Sequence, residues 1–268
     1  MKLKAFFFLA VAGLSVNAYS AIYSTDFSAL VNGDNVAGQD GWVLNDTSPM
    51  STVVPAVVGG VSVNYGGIGF ADATIPYLPT LTTVDLSHAY GEPMVNAGNG
   101  GSSASLNFIM RTSIDGSAPP LQDTFGISLT SGASNVFSVG FTPGFDTNPL
   151  SPTFNDPAWA ISYTVGSGTP QSFASSGVLR DSATSFNLSF TPGHFNLEIG
   201  GLNIGGATTL PSSTVIDTFH LLWTPTGGPE SAGPNGLLIS GLTLVPEVST
   251  SLLLCLTGLG FAARRRRA

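Results

Sequence analysis

The side chains able to do chemistry in this 268-residue chain are few and widely spaced. His88, His194 and His220 show no His-x-x-x-His spacing and no adjoining nucleophile motif, so each reads as a strand or turn residue. Cleaving a glycosidic bond takes two carboxyls roughly 5–9.5 Å apart on either side of it. Glu92, Glu198 and Glu230 are isolated, and no Glu-x-Asp-x-x-Glu strand pattern occurs, which leaves Asp as the source of any such pair. The only cysteine, Cys255, lies in the C-terminal apolar stretch, so the preceding 254 residues have no disulfide and no thiol chemistry.

Two binding chemistries remain. Trp42, Tyr65, Tyr77, Tyr90 and Trp159 carry large flat apolar faces, with Asn and Asp neighbours able to hydrogen-bond hydroxyl groups. Exposed, they would form a carbohydrate platform, with Trp159 beside Asp156-Pro157 the foremost member; the other reading is ordinary packing. Asp34 and Asp40, near Asn32 and Asn35, are oxygen donors of the kind a structural calcium ion takes, although no EF-hand spacing is present. The alternative for that segment is a solvated acidic turn.

The elements that must position these residues show a period of two. Leu106–Phe108, Phe125–Leu129, Phe137–Phe141, Phe186–Phe190 and Phe195–Ile199 each place alternate apolar side chains on one face. That is the signature of antiparallel strands buried on one side. Thr191-Pro192-Gly193-His194 reads as a turn between two of them, and Thr142-Pro143-Gly144-Phe145 has the same local form. The stretch from Thr142 to Pro157 reads as a long proline-rich loop, the kind of segment that often carries binding residues. Many short strands without a helical stripe predict an all-β, antiparallel two-sheet sandwich of jelly-roll type.

Composition narrows the function classes. Both lysines lie in the first four residues and four of the six arginines in the last five, so residues 19–245 contain only Arg111 and Arg180. The same stretch has 15 acidic residues and a formal charge of −13 with His neutral. Such a surface is a poor binder of nucleic acid or anionic lipid, both of which are gripped by Lys and Arg. Charged residues make up 9% of the chain, so solubility rests on Ser, Thr, Asn and Gly.

The ends are apolar and guarded by cations. Lys2 and Lys4 precede the run Ala5–Val16, with small residues near Ala18 and Ser20, which is the three-part form of a secretory signal peptide over residues 1–20. Sec-type export machinery and signal peptidase are the partners this implies. At the other end an apolar segment of about 248–263 would form a helix roughly 24 Å long. Arg264, Arg265, Arg266 and Arg267 follow it and resist translocation, each costing about 2.5–3.5 kcal/mol at a bilayer centre. Both ends therefore keep their charges in the cytoplasm, and residues 21–244 are the exported domain.

Residues 245–268, with Pro246, Glu247, Ser249 and Thr250 ahead of the apolar segment and the Arg cluster, resemble the PEP-CTERM sorting signal of Gram-negative bacteria. Val248 stands where that pattern has a second proline. The resemblance implies an exosortase-like membrane enzyme as partner, an anchored inner-membrane intermediate, and a final place at the cell surface or in the extracellular matrix, in association with exopolysaccharide and biofilm. The opening Asp26-Phe27 and Val36–Trp42 also resemble the start of concanavalin-like domains of secreted bacterial proteins, in keeping with the closing runs Val215–Asp217 and Leu237–Leu244. The expectation is thus a non-catalytic exported surface protein, with a secreted polysaccharide-active enzyme and a purely structural matrix protein as alternatives.

Overall fold

The computed structural model describes residues 23–32, 34–45, 51–58, 61–69, 83–94, 102–111, 123–145, 157–173, 182–211, 214–224 and 236–246. The signal segment, Tyr77, Glu247, Ser249, Thr250, the apolar tail and Arg264–Arg267 lie outside the described residues.

In chain order the strands are β1 (Tyr23–Thr25), β2 (Trp42–Leu44), β3 (Ser51–Val58), β4 (Val61–Ile68), β5 (Val84–Met94), β6 (Ser102–Arg111), β7 (Thr124–Ser131) and β8 (Ser134–Phe145). They continue as β9 (Pro157–Val165), β10 (Gln171–Phe173), β11 (Thr184–Thr191), β12 (His194–Ile199), β13 (Leu202–Ala207), β14 (Ile216–Thr224) and β15 (Gly236–Pro246). The alternating runs read from the sequence fall on β6, β7, β8, β11 and β12. In β11, Thr184, Phe186, Leu188 and Phe190 are buried while Ser185, Asn187 and Thr191 face out. No helix occurs among the described residues.

The strands form two antiparallel sheets. One has the order β13-β12-β11-β6-β15-β4-β3, with β1 also on β15; the other runs β10-β9-β8-β7-β14-β5-β2. Burial between them drives the assembly, each enclosed Phe or Leu contributing about 1.5–3 kcal/mol. Rings meet across the gap: Phe137 of β8 packs on Phe190 of β11 and Phe195 of β12, with centroids 6.4 and 5.9 Å apart. Phe108 of β6 meets Phe141 of β8 at 5.3 Å.

Two local features fix the geometry near the ends. Gly193, at φ +73°, makes the Pro-Gly turn between β11 and β12 that the sequence predicts. In β15 the register with β6 shifts between Ser240 and Thr243, at Gly241 with φ +60°. This bulge divides one edge of β15 between two partners. β4 pairs with Leu237–Ile239, and β1 pairs with Leu242–Leu244.

The structure corrects three boundaries. Thr142-Pro143-Gly144-Phe145 is not a turn but the end of β8, with Pro143 opposite Trp159 and Gly144 opposite Ala158. Proline is tolerated there because a strand end leaves its missing N–H without consequence. Both ends of the long loop expected from Thr142 to Pro157 thus belong to strands, and residues 146–156 lie outside the described residues. Val245 and Pro246, assigned to the tail from sequence, complete β15 opposite Ser103 and Ser102.

Candidate functional site

The four described members of the aromatic platform expected from the sequence are core residues. Trp42 is 1% exposed, Trp159 2%, Tyr65 2% and Tyr90 7%. Each sits at the inward parity of its strand, where ring area is worth more against other side chains than against water. Trp159 packs edge-on to Phe125, and Trp42 packs on Phe219 and Phe27.

Asp34 lies on the surface. Asp40 is exposed too, and one of its carboxylate oxygens is engaged by a neighbouring aromatic cluster. The Tyr23 hydroxyl donates to Asp40 Oδ2 at 2.9 Å, and Trp42 Nε1 donates to the Tyr23 oxygen at 3.2 Å. Burial, helped by the Asp40 carboxylate, raises the Tyr23 phenol well above its ordinary range. His88 Nε2 donates to the Asp40 carbonyl at 2.7 Å, and its ring lies tilted against that of Tyr23 with centroids 4.2 Å apart. Among the described residues no three His, Cys, Asp or Glu side chains gather as a metal would require.

The same segment borders an open cleft of about 800 Å³ beside the β15 bulge, lined by Thr25, Asp26, Leu30, Gln39, Asp40 and Gly241 among others. Asp26 accepts from the Ser28 amide and hydroxyl, which hold its carboxyl below the usual range. Phe27 and Asp40 adopt φ of +59° and +47°, conformations that non-glycine residues hold only under the surrounding packing.

A different constellation, missed in the sequence, stands on the outer face of the seven-stranded sheet. Along β14, Phe219, Leu221 and Trp223 point into the core, so Thr218, His220 and Leu222 point out. Pairing places His220 opposite Ser87 of β5 and Ser128 of β7. Its diagonal neighbours are Asp85 and Thr130, a separation an imidazole can bridge. His220 Nδ1 lies 3.0 Å from both carboxylate oxygens of Asp85, and Nε2 lies 3.0 Å from Thr130 Oγ1. A carboxylate only accepts, so Nδ1 carries a proton, and in the neutral ring Nε2 accepts from the Thr130 hydroxyl. The side chains of His220 and Asp85 stay 18% and 28% exposed, fixed yet reachable.

Polar groups extend this face. Ser128 pairs with Ser138 of β8, which pairs with Thr164 of β9. Ser128 is buried with its hydroxyl turned to Asn135 Oδ1 at 3.3 Å, so the hydroxyls this row leaves partly open are those of Ser138 and Thr164. The adjoining row runs from Asp85 through Leu222, Gly126 and Gly140 to Ser162. A Cβ on Gly140 would stand 2.9 Å from Ser162 Oγ, so the serine side chain already covers that glycine. Beyond Thr130, Asp217 accepts from the Gly132 amide at 2.7 Å and the Thr218 hydroxyl at 2.9 Å. Alternation in Phe219–Trp223 is enough to turn His220 outward; its partners depend on strand order, which no local pattern encodes.

This is a two-sheet, jelly-roll-like β-sandwich. Among solved structures the chain is similar to the CBM2 module of the evolved Dit of Lactobacillus casei BL23 phage J-1, at 15% identity over 86% of this chain and 97% of that one, with a TM-score of 0.52. It is also similar to the carbohydrate recognition domain of Emp47p, at 10% identity over 87% and 99%, with a TM-score of 0.50. No family model and no curated protein matches the chain.

Proposed function

We propose that this protein is an exported, non-catalytic surface protein that holds extracellular polysaccharide on the outer face of its seven-stranded sheet and is sorted by a PEP-CTERM-like tail. The observation that carries the binding role is the Asp85–His220–Thr130 chain, set among rows of Ser and Thr hydroxyls. Sugar hydroxyls are recognised by groups that both donate and accept and whose rotamers are already fixed, because little freedom is then lost on binding. The similarity to a carbohydrate recognition domain supports the reading at the level of fold.

The same chain favours a second reading. A hydroxyl, an imidazole and a carboxylate in series are the parts of an acyl-transfer relay. The two readings separate experimentally. Full-length protein carrying His220→Ala loses polysaccharide affinity under the first, with no hydrolytic product in either protein. Release of acyl groups or shortened chains from the polysaccharide by the unmodified protein, lost in Thr130→Ala, would establish the second. Retention by polysaccharide that is unchanged in His220→Ala would remove this face as the binding site.

A further inference from the structure

Resting on the polysaccharide-binding reading, we propose that the ligand is an extended polysaccharide bearing free amino groups, laid across the strands of the seven-stranded sheet. Direction follows from register. Val43, Ser87, His220, Ser128, Ser138 and Thr164 are successive neighbours on β2, β5, β14, β7, β8 and β9, all at the outward parity, with Ser128 alone buried. With strands about 4.8 Å apart, the row is about 24 Å long, enough for several sugar units in line. Val43 at its edge is 62% exposed, one of two exposed large apolar side chains among the described residues. It offers the C–H face of a sugar ring an apolar contact, while the hydroxyls beyond it meet polar edges.

Charge selects the class. Among the described residues the seven-stranded sheet carries no Lys or Arg, whereas the Asp85 carboxylate stands beside His220 on this face. Residues 19–245 carry −13. A uronate chain would meet carboxylates with no fixed cation to offset them. An ammonium group is attracted from a distance and can donate to the lone pairs of Asp85 that His220 leaves open, a charge-assisted bond stronger than a neutral one.

The test is affinity electrophoresis of the full-length protein through gels containing glycol chitosan, dextran or alginate, at low and high salt. Glycol chitosan is expected to retard it most, dextran less and alginate not at all, with the chitosan effect weakened by salt. Asp85→Asn is expected to lower chitosan affinity about tenfold, as for loss of a charge-assisted bond. Glu198→Gln, on an exposed position of the opposite sheet, is expected to leave it unchanged. Ser138→Lys with Thr164→Lys should transfer retention from chitosan to alginate. Equal losses in Asp85→Asn and Glu198→Gln would reduce the effect to adhesion of a polycation to an acidic protein and overturn the proposal. So would alginate retention equal to that of chitosan in the unmodified protein. Dextran matching chitosan would overturn the amine preference alone, with polysaccharide binding intact. Absence of retardation in all three gels would remove the underlying reading itself.

Discussion

At His88 the proton sits on Nε2, because its partner 2.7 Å away is the carbonyl of Asp40, which can only accept. Nδ1 is then a buried lone pair with no partner. Protonating it would create a donor and a charge in a buried site with no acceptor for it among the described residues, and burial accordingly lowers the His88 pKa below the ordinary 6.5. The unfolded chain takes up this proton more readily, so His88 leaves stability intact above pH 6.5 and removes it progressively as pH falls toward the folded value. Urea midpoints measured downward from neutral pH should fall more steeply in the unmodified protein than in His88→Phe. At Trp159, replacement by Ala should destabilise the fold by about 3–5 kcal/mol, seen in urea or thermal unfolding, through a core cavity. Trp159, Ile161 and Tyr163 alternate inward along β9, a run the sequence reading did not single out. What misled was aromatic identity, which fits a core and a binding platform equally well.

Elements were legible where one face is apolar and the other polar, as in β11 and β12, because the pleat writes a period of two directly into the residues. Order within the sheets was not, since any strand of the right parity can neighbour any other. This is why His220 passed as an ordinary strand residue while Asp85, 135 positions away, was its partner. Pro143-Gly144 was read as a turn because turn residues were weighed without the register that extends β8 through them. One strand shows how tightly the elements fit. A Cβ on Gly66 of β4 would fall on the ring of Phe27, whose backbone is already held at positive φ next to Trp42. Gly66→Ala should therefore cost about 1–3 kcal/mol by overpacking, with a lower urea midpoint.

For the molecule as a whole, segregation of charge sets behaviour. The acidic, nearly Lys- and Arg-free middle and the Arg-terminated end predict that deleting residues 247–268, which keeps β15 whole, releases the protein into the medium. Membrane fractionation would show this, and replacing Arg264–Arg267 by Ser should weaken retention in the same assay. Unchanged membrane association in both variants would contradict the sorting role.

β15 is the last strand in the described chain, yet it lies in the interior of its sheet, between β6 on one edge and β4 with β1 on the other. During synthesis, β1 and β4 must wait for a partner more than 160 residues downstream, and the two halves of the sheet stay unjoined until it arrives. Closure of so distant a pairing is slow, and the emerging chain meanwhile holds open strand edges that any neighbour could join. The fold thus has a built-in delay: it cannot lock into its final shape until β15 has been made.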